Sequence, residues 1–284
     1  MNIQLTHNTY GKHRVRVSKI KRDPQNPKQH QLIEVSVDVV LEGDLDAGYL
    51  EANNELIVAT DTIKNTVYVL AKDDPFDTIE SFGVRVAEHF VNKYDHLNKA
   101  TVTVSQNRWE RLLDCPHAFS GNTSEIPGAV LTAVRDQQTV VQSGLKNLLI
   151  AKTTESGFSD FHRDEFRTLP DTDDRILATS LSAEWIYETK PTDFSQARET
   201  IRSALLSRFI DHYSVSVQQT LMLMAKSALE SSGYVSQITL AMPNKHHVLF
   251  NLKPFDRENN NDVFVVTDEP FGYIQATISR DDLD

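Results

Sequence analysis

Hydrophobic residues in the first half of the chain follow two different spacings. A period of two with β-branched residues predicts strands, and a spacing of three or four predicts helices. The strands predicted in this half are 15–20, 33–39, 100–104 and 129–134. Two helices are predicted between the second and third strands: 61–72, and one after Asp74-Pro75 in which Ile79, Phe82, Val86, Phe90 and Tyr94 recur.

The second half repeats this order of elements. Strands are predicted at 145–153, 176–187, 234–241 and 248–252, with helices whose apolar residues are Phe194, Ala197, Ile201, Leu205 and Phe209, then Val217, Leu221, Met224 and Ala228. The order β-β-α-α-β-β thus occurs twice, without obvious identity between the copies. It predicts an α+β fold of two domains, residues 1–138 and 139–284, with antiparallel sheets covered by helices on one face. The other face and the sheet edges need cover, which predicts an oligomer.

The net charge and the single cysteine exclude several kinds of binding partner and metal site. The chain has 284 residues and a formal net charge of −11. Such a surface repels phosphate backbones and anionic lipids, so neither nucleic acid nor a membrane is an expected partner, and an anionic substrate needs a local basic pocket. The single cysteine, Cys115, excludes an intrachain disulfide and a cysteine-rich metal site.

The ends of the sequence bear on location. The first residues lack the basic and apolar regions of a signal peptide, and the last five, Arg280-Asp281-Asp282-Leu283-Asp284, are not a peroxisomal Ser-Lys-Leu address. No apolar run approaches the ~18 residues that span a bilayer. A cytoplasmic location is therefore expected.

Motifs for common cofactors do not occur in the sequence. No two of the ten glycines stand two apart, so there is no G-x-G of a dinucleotide loop, and neither a Walker sequence nor H-E-x-x-H nor G-x-S-x-G is found. His246 and His247 are adjacent on a predicted strand and would point to opposite faces, so a shared metal ion is not expected. The acidic stretch 171–174 lacks EF-hand spacing and is interpreted as a loop.

A set of short motifs resembles the urate oxidase family. In chain order they are Tyr10-Gly11-Lys12, Val58-Ala59-Thr60-Asp61-Thr62-Ile63-Lys64-Asn65-Thr66-Val67-Tyr68, Phe158 upstream of Arg163-Asp164-Glu165-Phe166, Asp174-Arg175-Ile176, Ser216-Val217-Gln218, Pro243-Asn244-Lys245-His246 and Gly272-Tyr273-Ile274. Each motif is weak alone, but the ordered set covers nearly the whole chain and is specific. The chain departs from the family's pattern beside Phe158, because Asp160 stands where the family usually has the glycine of Phe-x-Gly-Phe.

The resemblance implies a substrate-binding set for urate, a flat heterocyclic anion. Phe158 would stack on the ring and Arg175 would hold one edge with its guanidinium fork. Gln218 and the backbone of Val217 would hold the opposite edge. Considered without the resemblance, Phe158 would be core packing, Arg175 would form an ion pair with Asp173 or Asp174, and 216–218 would simply begin a helix.

The resemblance also implies the catalytic residues. Lys12, Thr60 and His246 would form a proton relay, and the sequence leaves open whether Lys12 or His246 is the base. Thr60 and Asp61 belong to the substrate-binding set as well, and Asn244 would place dioxygen and then water over the ring. Considered alone, Thr60 would be a helix cap and His246 a core histidine.

The family's known properties complete the hypothesis. The resemblance implies tandem T-fold domains in a homotetramer that encloses a tunnel, with active sites at the subunit interfaces. It also implies that dioxygen oxidises urate to 5-hydroxyisourate and hydrogen peroxide without a cofactor. Two alternatives remain: another T-fold enzyme for a pterin or purine, and a non-catalytic purine binder. The first would anchor its substrate with a glutamate, whereas Gln218 stands in that place; the second has no need for Lys12, Thr60 and His246 together.

Overall fold

The computed structural model describes residues 3–121 and 124–280, in two compact units. Unit 1 comprises Met1–Gly144 with Thr189–Ser195, and unit 2 comprises Leu145–Glu188 with Gln196–Asp284. The predicted domain boundary between residues 138 and 139 stays a prediction. The four C-terminal residues considered for a targeting signal lie outside the described residues.

Unit 1 contains an antiparallel sheet and two long helices. Its elements are β1 Tyr10–Arg22, β2 His30–Gly43, α1 Asp46–Leu50, α2 Thr60–Asp73, α3 Ile79–Lys93, β3 Leu97–Asn107, β4 Glu110–Arg111, β5 Phe119–Ser120 and β6 Ile126–Val134. The sheet has the order β1-β2-β3-β6, and each neighbouring pair is antiparallel. The predicted α+β class, the four strands and the two helices of this half are therefore confirmed.

The core of unit 1 lies between the sheet and helix α3. Strand β2 buries every second residue, including Val35, Val37 and Val39, which is the pattern of a sheet with one covered face. Helix α3 packs on β3 and β6, and α2 packs on β1. Phe82 and Phe90, both fully buried, supply much of the apolar area on α3.

Unit 2 has the same order of elements with an added hairpin. Its elements are β8 Leu177–Tyr187, α4 Phe194–Ile210, α5 Val217–Ser231, β9 Val235–Pro243, β10 His246–Leu249, a 3₁₀ turn Lys253–Phe255, β11 Phe264–Thr267 and β12 Tyr273–Ser279, preceded by β7 Val140–Lys152, which begins in unit 1. The sheet order is β7-β8-β9-β12, and α5 packs on β9 and β12. Of the described residues, no helix is both long and apolar enough to cross a bilayer.

One strand prediction in unit 2 was wrong. The segment 248–252 was predicted as the last strand of the second β-β-α-α-β-β half, but the strand at this point is His246–Leu249, and it pairs with β11 in a separate hairpin. The strand that pairs with β9 is β12, from Tyr273 to Ser279. Apolar alternation reports that a segment is extended, and it does not identify the pairing partner.

Helices α3 and α5 have the same kind of N-cap at their start and the same arginine–carbonyl contacts at their end. Thr78 and Ser216 are their N-caps, and each side chain accepts a hydrogen bond from the backbone N–H three residues later. At the other end, one arginine clamps three backbone carbonyls: Arg135 donates to Val91, Tyr94 and Leu97, and Arg280 donates to Leu229, Ser232 and Val235. Counted from the caps, the two sets of carbonyls occupy the same positions. Helices α3 and α5 are therefore structural counterparts in the two units.

Replacement of Arg135 by methionine is expected to lower the free energy of unfolding by about 2–4 kcal/mol, because three carbonyls lose a charged donor at once. Urea denaturation of the purified protein measures the change. Arg22→Met, on the exposed end of β1, is the matched control and should stay within about 0.5 kcal/mol of the parent. Equal stability of the two variants would show that water replaces the Arg135 clamp.

Candidate functional site

Lys12 lies beside a distortion in strand β1. Lys12 pairs with Val39, but the register shifts before Val15, and Arg14 between them has a positive φ of 55°. Asp38 holds this bulge by accepting a hydrogen bond of 2.6 Å from the Arg14 backbone N–H. Bulges re-aim neighbouring side chains, and they are common next to active sites.

The residue before Lys12 has to be a glycine. A Cβ at Gly11 would lie 1.8 Å from the carbonyl oxygen of Val39, so no side chain fits between these strands. Tyr10 then accepts a hydrogen bond of 2.9 Å from the backbone N–H of Val58, and burial raises the pKa of its phenol. Tyr10-Gly11-Lys12 is thereby joined to the segment that leads into Thr60.

Thr60 is the first residue of α2, and its side chain is exposed. The N-cap of this helix is Ala59, whose methyl group cannot accept a hydrogen bond, so Thr60 is not the cap that its residue type alone suggests. Asp61 bonds to Lys64 and Asn65 on the same helix. The hydrogen bond from Lys64 lowers the pKa of Asp61, and the charge of Lys12 lowers it further, which places Lys12 in the electrostatic range of the start of α2.

In unit 2, three extended segments meet side by side. Phe158 exchanges two backbone hydrogen bonds with Thr172, and the Arg175 N–H donates to the Ser156 carbonyl at 2.8 Å. On the opposite side of the 155–158 segment, Gly157 donates to the Ser214 carbonyl and Ser214 donates to that of Glu155. The backbone thus brings Phe158 and Arg175 together beside the residues that precede helix α5.

The Arg175 guanidinium has two buried donor atoms. Its Nε and Nη2 donate to no acceptor in the part of the chain that the structure describes. Asp174, an alternative ion-pair partner, bonds instead to Thr154 and Asn261. Burial lowers the pKa of the guanidinium. Two buried, unused N–H donors on a cation form a fork suited to an anion.

The Arg175 fork lies next to an aromatic stack. Its Cζ is 5.2 Å from the centroid of the Phe158 ring, and Phe158 stacks on Phe161 with centroids 4.7 Å apart and planes at 7°. Arg167 then lies over Phe161 at 4.9 Å and bonds to Asp171. Neither Phe161 nor Arg167 was predicted as a site residue, although Phe161 stands at the second phenylalanine of Phe-x-Gly-Phe.

Asp160 adopts the backbone conformation for which glycine is suited. Its φ is 56°, in the left-handed region. Aspartate tolerates this region better than most residues because its short side chain bonds locally. The departure from Phe-x-Gly-Phe therefore keeps a left-handed turn between Phe158 and Phe161.

Val217 and Gln218 are the first two residues of α5. The first N–H groups of a helix have no acceptor within it and carry the positive end of the helix dipole. Val217 is buried, whereas the Gln218 side chain is exposed and available. The simpler interpretation, that 216–218 begins a helix, is confirmed and is compatible with a binding role.

Asn244 and His246 follow strand β9 directly. Asn244 forms an isolated antiparallel β-bridge with Thr179 on the neighbouring strand. Its backbone N–H donates to the Gly272 carbonyl at 2.8 Å. Its side-chain amide nitrogen is 3.4 Å from Nδ1 of His246, and His246 is only half-buried. The neighbouring His247 donates to the carbonyl of Lys245 at 3.1 Å, so the two histidines have separate partners.

The structure thus describes the predicted site residues as two groups. Lys12, Thr60 and Asp61 belong to unit 1, and the other six belong to unit 2: Phe158, Arg175, Val217, Gln218, Asn244 and His246. Within residues 3–121 and 124–280, no three His, Cys, Asp or Glu side chains are grouped closely enough to hold a metal ion. Together the two groups supply hydrogen bonds, an aromatic ring for stacking, cationic charge and side chains that can transfer protons.

Comparison with known proteins gives the family. The uricase family model matches residues 8–131 and 141–275. The chain is 39% identical to a uricase from Arthrobacter globiformis over 98% of this chain and 91% of that one, and 38% identical to a uricase from Dictyostelium discoideum over 97% of each. The crystal structure of the Arthrobacter globiformis uricase superposes with a TM-score of 0.95 at 38% identity, over 100% of this chain and 97% of that chain. A match of this extent, in sequence and in structure, shows that the chain belongs to the uricase family.

Proposed function

We propose that the protein oxidises urate with dioxygen and water to 5-hydroxyisourate and hydrogen peroxide, a step in purine degradation. The observation that carries the proposal is the Arg175 guanidinium, in a chain of the uricase family: two of its buried donor atoms, beside the Phe158 ring, have no acceptor among the described residues. An anionic, planar and electron-rich substrate satisfies both features. The protein's formal charge of −11 makes such a local cation necessary.

Substrate binding uses four groups of unit 2. Phe158 stacks on the purine ring, and its other neighbour Phe161 keeps the ring plane in place. Arg175 donates both free N–H groups to one edge of the anion. The Val217 N–H and the Gln218 amide bind the opposite edge at the start of α5, where the helix dipole favours negative charge.

Catalysis uses proton transfer. Removal of a second proton from the bound urate raises the electron density of the ring, so that the substrate itself reduces dioxygen to peroxide. Water then adds to the oxidised ring and gives 5-hydroxyisourate. Lys12, Thr60 and His246 carry the protons, with Thr60 passing them between the substrate and Lys12. Asn244, held by its backbone bond to Gly272, positions dioxygen and then water above the ring.

We also propose that the active protein is a homotetramer of tandem T-folds that encloses a tunnel, with each active site completed by Lys12, Thr60 and Asp61 of a partner subunit. Exposed apolar side chains on and beside the β10–β11 hairpin support an interface: Val248, Leu249, Phe250, Phe255, Val265 and Val266. An apolar surface of this kind is usually covered in the assembled protein. The cytoplasmic location stays a prediction.

Purified protein, treated with a chelator, is expected to consume urate in air, which is measured as loss of the ultraviolet absorbance of urate with release of one peroxide per urate. Heat-denatured protein is the control. Analytical ultracentrifugation of the same sample reports the oligomer. A folded tetramer that leaves urate unchanged would contradict the proposed function.

A further inference from the structure

A buried chain of polar side chains lies below the start of helix α5. Thr220, fully buried, bonds to Ser214 Oγ at 2.7 Å and lies 2.9 Å from Nε2 of His212. His212 Nδ1 donates to the carbonyl of Arg208 at 2.7 Å, and Ser214 Oγ donates to the carbonyl of Ser216 at 3.2 Å. We refer to His212, Thr220 and Ser214 as the polar spine.

Unit 1 fills two of the three corresponding positions with aromatic residues. Counted from the N-caps Thr78 and Ser216, Phe82 corresponds to Thr220, and Phe76 corresponds to Ser214. Phe76 and Phe82 are buried and stack at 4.3 Å, where the pair in unit 2 makes a hydrogen bond. The counterpart of His212 is Asp74, a buried carboxylate that accepts hydrogen bonds from the Phe76 backbone N–H and from Arg85. The same helix start is therefore built in this chain without the two hydroxyls, so the fold does not require the hydrogen bond between Thr220 and Ser214.

Polar groups in a core contribute little net stability but define geometry sharply. A buried hydroxyl has to be hydrogen-bonded, or it costs the free energy of its lost hydration, and a well-packed apolar pair avoids this cost. A satisfied network, in return, fixes the relative positions of the segments that it joins. The role of the polar spine therefore depends on which segments it joins.

The polar spine joins the segments that carry the binding groups. The Ser214 backbone forms two hydrogen bonds with the segment 155–158, on which Phe158 lies. The Ser214 hydroxyl bonds to the cap residue Ser216, directly before Val217 and Gln218. Tyr213, in between, donates to the carbonyl of Asp173 at 2.6 Å, two residues before Arg175.

A second contact anchors the spine at its far end. Lys152 Nζ donates to the His212 carbonyl at 2.7 Å and lies 5.7 Å from the centroid of the Phe209 ring. Because the Arg208 carbonyl can only accept, the proton in that bond is on His212 Nδ1. Thr220 donates to Ser214, and Ser214 donates to the Ser216 carbonyl, so every member of the spine has a partner.

We propose that His212, Thr220 and Ser214 are positioning residues, which set the distance between the Phe158–Arg175 face and the start of α5 and thereby the fit of a planar purine. This inference rests on the proposed function for the identity of the ligand. The spine touches no substrate atom. Its removal therefore weakens binding by misplacing groups that remain present.

The test is a set of single variants compared in steady-state kinetics with urate. Thr220→Val keeps the shape of the side chain and removes the hydroxyl, and it is expected to raise KM about tenfold with kcat changed less than about twofold. Thr220→Ser returns the hydroxyl and should restore KM. Ser227→Ala, which removes a part-buried hydroxyl from the same helix, is the matched control and should leave KM unchanged.

Thermal denaturation of each variant separates positioning from stability. A lower Tm for Thr220→Val with an unchanged KM would overturn the proposal, since the spine would then be structural only. If Thr220→Val does not fold, Ser214→Ala removes a single hydroxyl and has the same expected KM. If the parent protein does not oxidise urate, the proposed function fails and KM cannot be measured. The dissociation constant of xanthine, measured by calorimetry, is then compared between parent and variant. Xanthine affinity that is equal in parent and variant, or undetectable in the parent, overturns the positioning role.

Discussion

Replacement of Arg175 by methionine is expected to lower kcat/KM for urate by about two to three orders of magnitude. Methionine keeps most of the volume and the contact with Phe158 but removes the cation and both free donors. Without them the bound anion is unpaired in a protein of strong negative charge. Steady-state rates over a range of urate concentrations measure the effect, which should include a rise in KM.

Arg163→Met is the matched control for this experiment. Arg163 is also an arginine near the stack, 5.6 Å from the Phe161 centroid, but its guanidinium bonds to Asp171 and is thus occupied. We expect its removal to change kcat/KM by less than about fivefold. Similar losses in both variants would mean that general basic charge, and not the Arg175 fork, attracts the substrate.

Lys12→Met is expected to lower kcat by about 10²–10⁴-fold and to change KM only a few-fold. Lys12 belongs to the proposed proton relay, whereas the groups proposed to bind urate lie mainly in unit 2. The measurement is kcat at saturating urate, together with urate or xanthine binding by calorimetry.

Lys21→Met provides the comparison on the same strand. Lys21 forms an ion pair with Asp77 and has no proposed catalytic role, so both kinetic constants should stay near those of the parent. If Lys12→Met instead abolishes binding and leaves kcat at saturation intact, Lys12 belongs to recognition rather than proton transfer.

Much of the fold could be predicted because its elements are long and periodic. The stripe of Ile79, Phe82, Val86 and Phe90 faces the sheet in helix α3, as its spacing predicted. The wrong strand at 248–252 has a different origin. Its apolar residues pair within a hairpin, and their exposure shows that they do not face the core of their own unit.

The site was only partly predictable. Resemblance predicted Arg175, Phe158 and Gln218 as candidate site residues, whereas residue type alone favoured an ion pair, core packing and a helix start. Phe161 and the polar spine were missed because their contacts join segments far apart in sequence and follow no period. One signal was present: Thr220 is a polar residue within the apolar stripe that Val217, Leu221 and Met224 form on α5.

The shared construction of α3 and α5 supplies an internal reference for amide hydrogen exchange. Each amide in the first turns of α5 has a counterpart in α3 at the same count from its cap, in the same sample and at the same pH and temperature. Glu80, whose buried carboxylate accepts a hydrogen bond from Ser143, is the counterpart of the exposed Gln218. A purine bound at the start of α5 should slow exchange of the Gln218 amide and leave the Glu80 amide unchanged. A change in the overall stability of the protein would instead alter exchange at both amides.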